Sequence, residues 1–320
     1  MNSINFRINE KITTKKFLLE NNFSKRSIKD IFENGYFVND DKVNKNFNLN
    51  IDDSLIIPIE DEKIDYDKAK SELEIIYEDH HILVVNKSYN LTVNSKGQIS
   101  LANYLAYYFS EKNIKAKVRL VNRLDMNTSG LLMVAKNPYS MAYYQNQIEK
   151  NLFKKNYLAV VEGKLDIDKL IKLNLTYNEE EKRYEVSRYG KTAITYFKTL
   201  NYDLSKDITY IIADIKTGKT HQIRASLSNL GYPIIGDKLY GSKIKLDRFL
   251  LHAYKIEFIR FLDGKKIILE SDPDFEKFLD SIKNWQFYIL NLKFHILIQF
   301  ETLFFCKKMI EIDLKCLTMI

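Results

Sequence analysis

From Leu73 to Glu270 the apolar residues arrive in short runs of strand length, EIIYEDHHILVVNK, LLMVAK, NYLAVVEG, ITYIIADIK, LLHAYKIEF and KKIILES. β-Branched and aromatic residues fit a pleated, half-buried surface, so these runs predict strands, the first segment supplying two around Asp79-His80. Stretches 100–112, 138–150, 220–230 and 274–283 read as helices between them. Strands interleaved with helices predict an α+β domain whose mainly antiparallel or mixed sheet is flanked by helices. The chain has 320 residues, 45% of them hydrophobic, enough for one such domain with a small appendage.

The appendage is N-terminal. Residues 13–21 and 25–34 predict two short helices, the second with Ile28, Ile31 and Phe32 at helical spacing and Gly35 as its stop signal. Strand-like residues follow at 36–39 and over 48–59, where Asp52-Asp53 makes a turn, giving an αα-β module over 1–59. Between Lys11 and Lys29 six basic residues face Glu20 alone. That placement suits phosphate contact by Lys25, Arg26 and Lys29, and it equally suits a solvated helix pair. Residues 60–72 carry nine charges in thirteen positions without apolar periodicity and are assigned to a linker. The main domain is placed at 73–283, and 284–320 form a C-terminal extension with no assigned role. Within it, 287–305 is interrupted by Lys293, His295, Gln299 and Glu301, which predicts a buried or partner-facing element rather than a membrane span.

A net charge of +7 favours an anionic partner, either nucleic acid or a membrane surface. The two cysteines, Cys306 and Cys316, both fall in the last fifteen residues, so the body has no disulfide framework and a reducing cytoplasm is expected. His80 and His81 are adjacent while His221, His252 and His295 stand far apart, a spacing that matches no metal-ligand set. There is no Gly-x-Ser-x-Gly elbow. The TGKT at 217–220 is like the end of a phosphate-binding loop, but alanine occupies position 213, where that loop needs glycine, so nucleotide hydrolysis is not expected.

Three segments can carry chemistry. In RLVNRLDMNTSGLLMVAK (119–136) a polar loop lies between two apolar strands, and Asp125 precedes the turn-forming Asn-Thr-Ser-Gly. Its carboxylate is a candidate nucleophile or base, or else a turn cap. In IKTGKTHQIRASLSNLGYPIIGDKLYG (215–241) a helix opening near Thr220 puts Gln222 and Arg224 in its first turns and ends at Gly231, leaving Arg224 free to pair with a distant carboxylate or with phosphate. In KKNYLAVVEG (154–163) Tyr157 heads an apolar strand, where a tyrosine serves packing or a site.

The strings VNRLDMNTSGLLMVAK, KNYLAVVEG and TGKTHQIRASLSNLGYPIIGDKLYG, in that order and preceded by IIYEDHHILVVNK, resemble the motifs of the RluA-type RNA pseudouridine synthases over roughly residues 73–279. The N-terminal module resembles an RNA-binding module first described in a small-subunit ribosomal protein. The resemblance implies a pseudouridine synthase fold and an isomerase that needs no metal or other cofactor. It makes Asp125 the essential aspartate, Tyr157 the active-site tyrosine and Arg224 the basic partner of the aspartate. It adds RNA contacts at Arg123, Thr128, Ser129, His221 and Gln222 to those of Lys25, Arg26 and Lys29. The implied partner is structured RNA, of the large ribosomal subunit or alternatively transfer RNA, bound by a cytoplasmic monomer without membrane attachment. Asn122 stands where the family often has histidine, and NLTVNSKG (90–97) lacks that loop's usual glycine, histidine and proline. These departures motivate a reading from another class, a non-catalytic RNA-binding or ribosome-assembly factor with the same fold.

Overall fold

The computed structural model describes residues 2–95, 97–275 and 278–279. The chain divides into two units, 1–273 and 274–320. The helix expected at 274–283 and the extension expected at 284–320 lie largely outside the described residues.

The N-terminal module comprises β1 (Asn2–Arg7), β2 (Ile12–Thr13), α1 (Thr14–Glu20), α2 (Lys25–Asn34), β3 (Tyr36–Val38), β4 (Asp41–Val43), β5 (Asn48–Leu49) and β6 (Ser54–Ile59). Both helices form where their spacing predicts. The Ser24 hydroxyl accepts from the Ser27 N–H at 3.0 Å to open α2, and Gly35, at φ 86°, closes it. The added strand β1 pairs along β6. Its apolar alternation, Ile4, Phe6 and Ile8, is too brief to identify a strand without that partner, so the module is β-αα-β rather than αα-β.

The main body contains β7 (Glu74–Glu78), β8 (Ile82–Lys87), α3 (Leu101–Glu111), β9 (Arg119–Leu120), β10 (Ser129–Ala135), α4 (Pro138–Glu149), β11 (Lys154–Glu162), β12 (Asp168–Asn178), β13 (Arg183–Val186), β14 (Lys191–Asp203), β15 (Ile208–Ile215), α5 (Gln222–Asn229), β16 (Leu251–Ile259) and β17 (Lys266–Glu270). The sheet runs β13-β12-β14-β15-β11-β16-β10-β8-β7, with β17 on β16 and β9 on β10. The mixed character comes from β10 and β16, which are parallel, while the other neighbours are antiparallel. The long arm β12 to β14 escapes the apolar-run criterion because its residues are mostly exposed or half-buried on both faces.

Central strands bury both faces. Leu132 and Val134 of β10 join one cluster with α3 and α5 residues such as Leu105 and Leu227, whereas Leu131, Met133 and Ala135 point into a second cluster with α4. This explains why LLMVA is continuously apolar. The second cluster also takes in the N-terminal module, whose Phe23 ring lies 5.7 Å from Tyr139 and 5.6 Å from Phe261. Residues 60–72 form no regular element but are bonded along the body: Asp65 accepts from the Val118 N–H at 2.9 Å, Lys68 donates to Ser110 at 2.7 Å, and Ile64 and Tyr66 pack against the core.

Gly130 is required where β10 meets β16. Its φ is +115°, and a Cβ there would lie 2.3 Å from the Ala253 carbonyl oxygen. Gly130→Ala is therefore expected to destabilise the protein by about 3 kcal/mol or more, through combined backbone strain and overpacking. An unchanged urea midpoint would refute this.

Candidate active site

The loop from β9 to β10 carries Asp125 to the mouth of a cavity of about 380 Å³ walled by β11, α4 and the segment leading into α5. Within the loop, the Thr128 N–H donates to the Asp125 carbonyl at 3.1 Å, and the buried Asn122 side chain accepts from the Met133 N–H at 2.8 Å. Asn122 thus ties the approach to Asp125 onto β10. From the other side, the buried Lys87 ammonium donates to the carbonyls of Ser88, Leu91 and Met126 at 2.8, 2.9 and 3.0 Å. Burial, with the charge of Arg248 adding to it, lowers the Lys87 pKa to about 7.

Asp125 meets α5. Arg224 Nη1 donates to its Oδ2 at 3.1 Å. The remaining edge of the same guanidinium is occupied by Asp237, with Nε to Oδ2 at 2.7 Å and Nη2 to Oδ1 at 2.9 Å. Its plane lies between the rings of Tyr240 and Phe249, with centroid distances of 4.9 and 4.2 Å. Burial opposes the charge on Arg224, but Asp237 and then Asp125 outweigh it and raise its pKa. A side chain held on three sides this way presents one N–H pair to Asp125 in a fixed direction.

His221 caps α5 from a left-handed backbone, φ 53°, with its ring set between Tyr184 and Tyr240. Burial and the adjacent Arg224 lower its pKa despite Asp125 and Asp237, so the ring is neutral at pH 7. The Tyr240 hydroxyl accepts from the Tyr184 N–H and is hydrogen-bonded to His221 Nδ1, 3.0 Å away. His221 Nε2 faces Asp125 Oδ2 at 3.8 Å. Tyr157 of β11 lines the same cavity; burial first and Asp125 second raise its pKa, keeping the hydroxyl protonated.

The fold therefore brings Asp125, Tyr157, Arg224, His221, Thr128 and the exposed Arg123 to one cavity. Gln222 borders it too, but its amide is consumed locally: Oε1 accepts from Thr217 Oγ1 and the Lys219 N–H, and Nε2 donates to Ile194 O and Thr195 Oγ1. Ser129 is buried away from it, accepting from Arg248 Nη2 at 2.8 Å and bonded to His252 Nδ1 at 2.8 Å. Lys25 and Lys29 lie at a separate surface cleft with Lys15, Ile28 and Phe32, and Arg26 is exposed beside them on α2. Among the described residues no cluster of three or more His, Cys, Asp or Glu could hold a metal, and no helix is long and apolar enough to cross a membrane.

Residues 81–229 match the RNA pseudouridylate synthase family. The ribosomal large subunit pseudouridine synthase C of Buchnera aphidicola from Schizaphis graminum is 32% identical over 272 residues, 77% of this chain and 84% of that one. The chain belongs to the RluA-type RNA pseudouridine synthases. The synthase is also 37% identical to the RNA pseudouridine synthase YhcT of Bacillus subtilis over 207 residues, covering 62% of this chain and 68% of the relative. The structure of human RNA pseudouridylate synthase domain containing 1 superposes with a TM-score of 0.57 at 25% identity, covering 67% of this chain and 89% of that one. The synthase is thus an isomerase that acts on RNA, with the expected α+β fold.

Sequence reasoning did not single out several residues of the site. Asp237 follows Arg224 by thirteen positions and sits between Gly236 and Gly241 in a motif already quoted, a signal that could have identified it as a second acid for the arginine. Lys87 and Arg248 carry no local sign of burial. His252 gives the synthase an acid sensitivity: burial first, then the charge of Arg248, lowers its pKa from 6.5 to about 3. The unfolded chain binds this proton below pH 6.5 and the folded one only below about 3. Stability is therefore lost as pH falls through that interval, by up to roughly 5 kcal/mol at 1.36 kcal/mol per unit. His252→Asn is expected to move the acid-unfolding midpoint, followed by circular dichroism, to lower pH. A midpoint equal to that of the wild type would count against it.

Proposed function

We propose that this synthase converts uridine to pseudouridine in structured RNA of the large ribosomal subunit, with Asp125 as the reacting carboxylate. The observation that carries the reading is the Asp125–Arg224–Asp237 arrangement at a cavity otherwise rich in cationic side chains. In the reaction the N1–C1′ bond breaks, C5 bonds to C1′, the C5 proton leaves and N1 gains one, so the RNA is neither oxidised nor cleaved. Arg224 fixes the Asp125 carboxylate through its Nη1 donor, and Tyr157 offers an aromatic face to the extruded base. His221 Nε2 stands 3.8 Å from the same carboxylate oxygen that Arg224 bonds. One carboxylate serves either as nucleophile or as base in such a step.

Thr128 and Arg123 at the cavity, and Lys25, Arg26 and Lys29 on α2, supply RNA contacts, while Ser129 and Gln222 act through the loops they fix. The large-subunit assignment draws on the name of the Buchnera relative. The deciding experiment measures tritium release from C5-labelled uridine in large-subunit ribosomal RNA and transfer RNA transcripts. Release from the ribosomal transcript alone supports the proposal, release from transfer RNA alone reassigns the substrate, and release from neither favours the binding-factor alternative.

A further inference from the structure

We infer that Lys155 is a substrate-contacting residue of this synthase, its ammonium meeting an anionic oxygen of the target nucleotide. The inference rests on the reading of the cavity as the uridine site. Lys155 and Tyr157 are two residues apart on β11 and therefore project to the same face, about 7 Å apart along the strand. Both line the cavity. The Lys155 Nζ lies against the backbone of the segment leading into α5, 3.8 Å from where a Cβ on Gly218 would stand.

What distinguishes this lysine is the lack of a counter-charge. Among the described residues its ammonium has neither an ion-pair partner nor a hydrogen-bond acceptor. Other withdrawn lysines are compensated: Lys87 by three carbonyls, Lys255 by Glu257 and Glu270. Burial alone lowers the Lys155 pKa. A half-buried cation facing a cavity without a partner is poised for an anion brought into that cavity.

The target nucleotide offers anionic oxygen in two places. One is a backbone phosphate flanking the extruded uridine. The other is the uracil itself once the N1–C1′ bond has broken, when its negative charge is spread over N1, O2 and O4. In both cases the lysine donates a charge-assisted hydrogen bond, and no atom or electron is transferred to it.

Lys155→Met removes the charge and keeps the apolar stem, whereas Lys155→Arg keeps the charge. On an RNA from which the wild type releases tritium, Lys155→Met is expected to lower kcat/KM roughly ten- to hundred-fold, with the urea midpoint unchanged or raised, and Lys155→Arg to recover part of the loss. If a phosphate is the partner, the loss falls on KM and the salt dependence of log affinity shrinks by roughly 0.7 to 0.9. If the uracil anion is the partner, the loss falls on kcat while affinity and its salt dependence stay as they were. Wild-type kinetics in Lys155→Met would overturn the inference and leave the function standing. An equal loss in Lys155→Met and Lys155→Arg with a lowered urea midpoint would make the role structural and overturn it too. A wild type inactive on every RNA would remove both readings together.

Discussion

Replacing Asp125 by asparagine is expected to abolish uridine isomerisation, lowering the single-turnover rate of tritium release by roughly four orders of magnitude or more. Asparagine is nearly isosteric and its oxygen still accepts from Arg224 Nη1, which bonds Asp125 at 3.1 Å in the wild type. What disappears is the negative charge and with it both the nucleophile and the base. Arg224 keeps its two bonds to Asp237, so the urea midpoint should shift little. RNA affinity measured by gel retardation should hold or rise, because the cavity loses an acidic lining residue. Tritium release at more than about one hundredth of the wild-type rate would remove Asp125 from the chemistry.

The second large effect is expected at Asp237, which never touches the cavity. Asp237→Ala strips a buried guanidinium of its paired acceptor, leaving Arg224 with Asp125 alone. Removing one member of a buried ion pair costs about 3–5 kcal/mol, and the urea midpoint should fall accordingly. The freed guanidinium can rotate, so kcat should drop roughly a hundred-fold through lost alignment of Asp125, with KM much less affected. Asp237→Asn retains the shape and one good acceptor and is expected to lie between alanine and wild type in both measurements. Equal stability of Asp237→Ala and wild type would show that the Arg224–Asp237 pair is not the anchor described above.

Much of the site could be read from the sequence because its chemistry lies in short strings. Asp125 stands in a turn between two apolar strands, and Arg224 stands in the first turns of a helix, and these local signals correctly placed their backbones. The meeting of the two side chains across 99 residues came from the resemblance to a family, not from spacing. What the strings do not show is which of their polar side chains are engaged inside the protein. Ser129 begins a central strand buried on both faces, so its hydroxyl is spent on Arg248 and His252. Gln222 is spent on the loop before its own helix. Conversely, Lys87 and Asp237 owe their interest to burial with partners that the fold brings to them, and Lys155 to its place in the cavity without one, and none of this is a local property. The same holds for β1, a strand only because β6 lies beside it.

The parallel contact of β10 with β16 bears on how the enzyme comes into being. Ser129 bonds His252 across 123 positions, and Arg224 reaches Asp125 across 99, so the loop that carries Asp125 is completed by chain made long after it. Contacts this remote raise the contact order and slow the conformational search. On a translating ribosome the N-terminal module emerges well ahead of any competent cavity. Until residue 253 has cleared the exit tunnel, the nascent chain lacks the strand that β10 pairs with and cannot complete the cavity around Asp125.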